Sequence, residues 1–155
     1  PAQLPQRLEF LPLLESPLQF WAPTADCAVR RLIDAADTAS PGYDWAGIPF
    51  IVPERGITKD LLDQWLRARG LRPRVYAQVA GHEAIVAMVS LGLGVGIAPE
   101  LVVAASGMQR SVSRIDVPGG LQPLTVGLCS LKQRLLSPVV KSLWDVAGQT
   151  YGVQV

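Results

Sequence analysis

The stretch from Arg74 to Pro99, RVYAQVAGHEAIVAMVSLGLGVGIAP, admits few folds. Val75, Ala77 and Val79 alternate with Arg74, Tyr76 and Gln78, the period-two pattern of a strand with two different faces. From Glu83 onward Ile85, Val86, Met88, Val89 and Leu91 recur at helical spacing, and Gly92 supplies a residue that ends a helix. The apolar run Leu93 to Ala98 is short enough for a buried strand, and Gly94 and Gly96 within it permit close packing against the preceding helix. Strand, tight turn, helix, glycine break and strand make a parallel βαβ unit. Its first turn, Ala80, Gly81 and His82, lies at the carboxyl end of a strand, where outward-pointing helix N–H groups hold small anions in open α/β sheets.

A second strand-to-helix turn precedes this one. The buried strand Ile48 to Val52 runs through Pro53, Glu54, Arg55, Gly56, Ile57 and Thr58 into a helix from Lys59 to Arg69, closed by Gly70. Leu61, Leu62, Trp65 and Leu66 line one face of that helix. Thr58 or Gly56 is its N-cap, and Asp60 sits favourably against the helix dipole. Right-handed crossovers place the two turns on neighbouring strands at one edge of a parallel sheet, so two helix N-termini are expected to face one crevice.

The remaining segments fit around this core. Leu4 to Leu14 and Leu18 to Ala22 read as extended segments separated by Ser16 and Pro17, Asp26 to Ala36 as a short helix, and Asp37 to Gly47 as a surface turn. A short helix, Glu100 to Ala105, leads to strands Val112 to Val117 and Leu124 to Cys129. Ser137 and Pro138 then open a final helix with Val139, Val140, Leu143, Trp144, Ala147 and Tyr151 as its apolar face. That order is α/β with a mixed sheet, in a chain long enough for one core or two small lobes that share strands.

Composition removes several classes of function. A chain 49% apolar and only 17% charged is folded around a well-buried sheet. Formal net charge is +1 and the arginines and lysines are spread along the chain, so a basic face for nucleic acid is not expected. The longest uncharged stretch, Ala84 to Pro99, holds a helix, a turn and a strand and is no membrane span. Pro1 to Phe10 lacks the pattern of a secretory signal, which makes a cytoplasmic location the expectation. Cys27 and Cys129 have no CxxC spacing and are read as reduced thiols.

No motif supplies a catalytic constellation. His82 is the single histidine; it lacks a nucleophile partner, and one histidine makes no zinc site without cysteine or carboxylate help. Catalytic residues, metal ligands and cofactors are therefore not assigned. The GLGVG run ends a helix and enters a strand, the reverse of a dinucleotide fingerprint. His82 either donates to a small ligand or caps its turn, Glu83 reads as a structural first-turn carboxylate, and Arg55 either clamps a carboxylate or pairs with Glu54. The four tryptophans are scattered and read as core.

PFIV-x-x-x-G in Pro49 to Gly56, together with AGHEAIVAMVSLGLGVGIAPELV in Ala80 to Val102, is similar to the effector-binding domain of LysR-type transcriptional regulators. LGLGVG is common to many members, whereas GHEA is more particular to members that activate acetohydroxy acid isomeroreductase synthesis. The resemblance covers essentially the whole chain but only the second half of such a protein. It implies a periplasmic-binding-protein-like (type II) fold: crossover strands in residues 1–22, one complete βα lobe in 23–117, and a return to the other lobe in 118–155. The winged helix-turn-helix and the opening of the first lobe are expected to be absent from this chain.

It further implies a regulatory, non-enzymatic domain whose effector sits between lobes, with second-lobe contacts at Arg55, Gly56 and Thr58 and at Ala80, Gly81 and His82. The implied effector is a small carboxylate, a hydroxy-keto acid such as acetolactate or acetohydroxybutyrate, in control of branched-chain amino acid biosynthesis. Implied partners are operator DNA, through the absent N-terminal domain only, and further copies of the chain in a homo-oligomer, with no membrane. The same architecture also serves a lobe of a solute-binding protein for a small carboxylate, which is the alternative.

Overall fold

The computed structural model describes residues 5–35 and 45–153, which form two compact units. The larger, Pro17–Pro123, is built on a five-stranded sheet. Its strands are β2 (Leu18–Pro23), β3 (Pro49–Pro53), β4 (Arg74–Val79), β5 (Val95–Pro99) and β6 (Val112–Ile115), in the order β4-β3-β5-β2-β6. β1 (Leu8–Ser16) belongs to the smaller unit. β3 runs parallel to β4 and to β5, while β2 runs antiparallel to β5 and β6, so the sheet is mixed as expected. The βαβ unit read from Arg74 to Pro99 is present, but β3 lies between its two strands.

Three helices of this unit position the site or its core: α2 (Ile57–Ala68), α3 (His82–Ser90) and α4 (Glu100–Ala105), after α1 (Ala28–Asp34). Neighbours along β3 show how the sheet is covered on both faces. Phe50 packs its ring 5.8 Å from Trp45, which in turn meets Trp65 of α2 edge-on at 5.8 Å. Ile51 points the other way and is buried with Ile85, Val86 and Val89 of α3, Ala98 of β5, Val103 of α4 and Val112 of β6. β2 repeats this alternation, with Phe20 4.8 Å from Trp65 and Trp21 packed against the α3 cluster while its Nε1 donates to the Ala98 carbonyl at 2.9 Å. Strands apolar on both faces are what a sheet covered by helices requires.

Several details depart from the sequence-based expectation. β2 lies in the large sheet, and this unit therefore begins at Pro17 instead of after Ala22. The strict alternation of Val75, Ala77 and Val79 is broken. Val75 is aligned with Phe50 but Ala77 with Ile51, so Tyr76 is an extra residue in the β4 ladder. β4 is also an edge strand, and Val75 and Tyr76 are exposed. Leu91, counted on the α3 face, is exposed at that helix's C-terminal end. The helix expected from Asp26 to Ala36 is shorter, with Cys27 at its N-cap, and the turn expected from Asp37 falls largely outside the described residues.

The smaller unit comprises Pro1–Ser16 and Leu124–Val155. β1 pairs antiparallel with β7 (Leu124–Leu131), with an irregularity at Pro12, which has no N–H to give the ladder. α5 (Pro138–Thr150) begins at Ser137 with proline in its first turn, as expected. Its apolar face is divided. Trp144 and Gly148 are buried, whereas Val139 is 79% and Leu143 65% exposed. Tyr151, just past the helix, is also exposed. Both cysteines are free thiols, Cys129 exposed and Cys27 half-buried.

Candidate functional site

β3 and β4 end side by side. Pro53 and Val79 are register partners at their carboxyl ends, and the Glu54 N–H donates to the Val79 carbonyl at 3.0 Å. The chain leaves each strand through a short turn and enters a helix, so the N-termini of α2 and α3 open on the same edge. Both helices have glycine at the N-cap, Gly56 with φ 94° and Gly81 with φ 85°, in a region that side chains with a Cβ rarely adopt. Neither cap brings a side chain to the first-turn N–H groups. Those donors, unpaired within the helix, carry the positive end of the macrodipole.

Between the turns lies a crevice of about 230 Å³ lined by Pro53, Arg55, Thr58, Val79, Ala80, Gly81, His82 and Ile85. Five of the six residues named from the sequence thus line one cavity. Gly56 does not line it and acts as the N-cap that turns the chain into α2. Thr58 is not the N-cap. It is the second residue of α2, 4% exposed, and its hydroxyl lies 3.2 Å from Nε2 of His82. This contact joins the two turns across the crevice.

His82 is half-buried at the first position of α3. Burial pushes its imidazole below the ordinary histidine value, partly countered by the neighbouring Glu83 carboxylate. Arg55 is exposed, and among the described residues no ion pair joins it to Glu54. Among the described residues no carboxylate lines the crevice, which combines a guanidinium, an imidazole, a buried hydroxyl and two helix N-termini with an apolar wall of Pro53, Val79 and Ile85. That combination is chemically suited to a small anion with an apolar part.

Sequence reasoning missed the wall. Pro53 and Val79 are the last residues of their strands, and Ile85 follows His82 by one helical turn, so their positions were available once the turns were placed. Among the described residues no group of three or more His, Cys, Asp or Glu could hold a metal ion. Among the described residues, too, no helix is long and apolar enough to cross a membrane.

The LysR substrate binding domain family matches residues 1–152. The HTH-type transcriptional activator IlvY of Haemophilus influenzae is 34% identical over 145 residues, covering 93% of this chain and 48% of that protein. The HTH-type transcriptional regulator IlvY of Escherichia coli K12 is 31% identical over 149 residues, covering 94% and 48%. The chain therefore spans about half the length of these relatives. Solved structures that share the fold include two regulatory domains with bound ligands. The effector binding domain of QuiR in complex with shikimate has a TM-score of 0.69 at 22% identity, over 94% of this chain and 66% of that one. The Synechocystis PCC6803 CcmR regulatory domain in complex with 2-PG has a TM-score of 0.76 at 18% identity, over 96% and 70%. The architecture is thus periplasmic-binding-protein-like, type II, and by its sequence this chain belongs to the LysR-type regulators as an effector-binding domain, in a regulatory and non-enzymatic family.

Proposed function

We propose that this chain senses a small hydroxy-keto acid, acetolactate or acetohydroxybutyrate, for a transcriptional activator of branched-chain amino acid biosynthesis. The observation that carries this is the crevice at the ends of β3 and β4, where Arg55, His82 and two glycine-capped helix N-termini converge and no carboxylate of the described residues forms part of the lining. A carboxylate matches the helix N–H groups and the arginine fork. The ligand's hydroxyl and keto oxygens have Thr58 and His82 as partners, and its alkyl group meets Pro53, Val79 and Ile85. At about 230 Å³ the crevice is smaller than the roughly 300–1,000 Å³ of drug-sized sites, in keeping with a metabolite of this size.

The likeness to IlvY supports the choice of ligand and pathway. In this reading operator DNA is bound by a helix-turn-helix outside residues 1–155, the intact regulator is a homo-oligomer in the cytoplasm, and the first lobe of the domain is completed by residues outside this chain. The test is titration of the operator-bound intact protein with acetolactate, followed by fluorescence anisotropy or footprinting. A saturable change that an unrelated monocarboxylate does not produce is expected. No response to either hydroxy-keto acid would refute the assignment of ligand.

A further inference from the structure

The hydrogen bond between His82 and Thr58 has two possible directions. With a neutral imidazole, the threonine O–H can donate to Nε2, or an Nε2–H can donate to Oγ1. In the first arrangement the hydroxyl proton is spent on the ring. An imidazolium has no acceptor, so Nε2–H must donate to Oγ1 and the Thr58 proton turns to another acceptor. Thr58 is almost fully buried and lines the crevice, so an anion held there can serve as that acceptor.

We propose that the effector and one proton bind together: entry of the carboxylate is accompanied by protonation of His82 from solvent, with the Thr58 hydroxyl reoriented to donate to the bound anion. This rests on the reading above that the crevice takes a small carboxylate. In the empty crevice the positive ends of α2 and α3 and the Arg55 guanidinium all oppose a charge on the ring, and half-burial adds to this. Glu83 on α3 favours the charge, and its carboxylate is folded back toward Gly81. On α2 and its turn, Lys59 is engaged by Asp63 at 2.5 Å, while Glu54 and Asp60 are exposed. Among the described residues the lining of the crevice itself holds no carboxylate, and a bound one would add a counter-charge on the open side of the imidazole to the one that Glu83 gives.

The sign follows. His82 has a depressed value in the empty site and a raised one beside the anion, so affinity increases as pH falls through the interval between them. The effector carboxylate itself titrates far below that interval.

Acetolactate is to be titrated calorimetrically into the intact protein at about pH 6.5, in PIPES and in bis-Tris, whose ionisation enthalpies differ, and again at about pH 8. Net uptake approaching one proton per ligand is expected, with affinity about three- to tenfold higher at the lower pH. His82→Gln should bind with no buffer-dependent heat and a flat pH profile, while Thr58→Ser, which keeps the hydroxyl, should retain the uptake. Binding by the wild type without proton uptake, or uptake that persists in a folded His82→Gln protein, overturns the linkage and leaves the site standing. Absence of binding at both pH values overturns the site reading and the linkage with it.

Discussion

Gly96 of β5 and Ile85 of α3 lie so close that a Cβ on the glycine would overlap Ile85 Cγ2, with Val89 Cγ2 at 3.2 Å and the Ile51 carbonyl at 3.3 Å leaving no other path. Ile85 is fully buried on that side and also forms part of the crevice wall. The second glycine of GVG is thus what lets α3 settle onto the sheet and hold its N-terminus at the site. Gly96→Ala should destabilise the intact protein by ~1–3 kcal/mol through overpacking and weaken the effector response along with it. Urea denaturation read beside an effector titration checks both. An unchanged midpoint would mean that Ile85 has room to move, against the geometry.

His82→Ala and Arg55→Ala should each weaken effector affinity while sparing the fold, because both side chains stand at element ends and neither is fully buried. Losing a charge-assisted hydrogen bond removes ~1.5–3 kcal/mol, about ten- to a hundredfold in half-saturation. Leu66→Ala is the contrasting variant, since Leu66 is buried beside Trp65 on α2 and truncation there should cost ~2–5 kcal/mol of stability. Normal half-saturation in both turn variants, with normal melting, would remove these turns from the site.

Arg69 fastens the loop after β6 to α2. Its guanidinium lies 4.2 Å over the Trp65 ring, Nη1 donates to the Trp65 carbonyl at 3.3 Å, and Nη2 donates to the Pro118 carbonyl. Arg69→Ala should lower stability by ~1–2 kcal/mol, the sum of a cation–π contact and a hydrogen bond at a partly exposed site. Arg69→Lys should recover only part of this, because an ammonium cannot stack and donate to both carbonyls at once. Equilibrium denaturation of the pair of variants measures the difference. Equal stability of the lysine variant and the wild type would show that charge alone matters.

The sequence was most legible where periodicity and punctuation agreed. Gly70 and Gly92 close α2 and α3 as expected, with Leu71 N–H donating to the Leu66 carbonyl at 2.9 Å and Leu93 N–H to that of Met88 at 3.3 Å. The two turns came together because the order of strands and helices in a parallel sheet leaves little choice. What was not legible depended on partners distant in the chain. Side-chain preference favoured Thr58 as an N-cap, but its hydroxyl meets a histidine 24 residues away and Gly56 takes the cap. The extra residue at Tyr76 exists only relative to β3, so alternation within β4 alone could not reveal it. Likewise β2 reads as an extended segment in isolation, and its membership in the large sheet is decided by pairing with β5 and β6.

The outer face of α5 carries the last prediction. Val139, Leu143 and Val146 recur at helical spacing and are exposed, as is Leu136 just before the helix, while the opposite side buries Trp144. A helix apolar on two sides has one more surface to cover than the described residues of its unit supply, and contiguous exposed apolar area of this kind drives association. Residues 1–155 expressed alone should therefore self-associate as concentration rises, and Leu143→Lys combined with Val139→Glu should shift the population towards monomer without lowering the stability of the larger unit, which these side chains do not belong to. Sedimentation velocity across a concentration series, with urea melting of both proteins, checks this. A wild-type chain that stays monomeric throughout would show that the stripe is tolerated in water, and the expected association would then have to be abandoned.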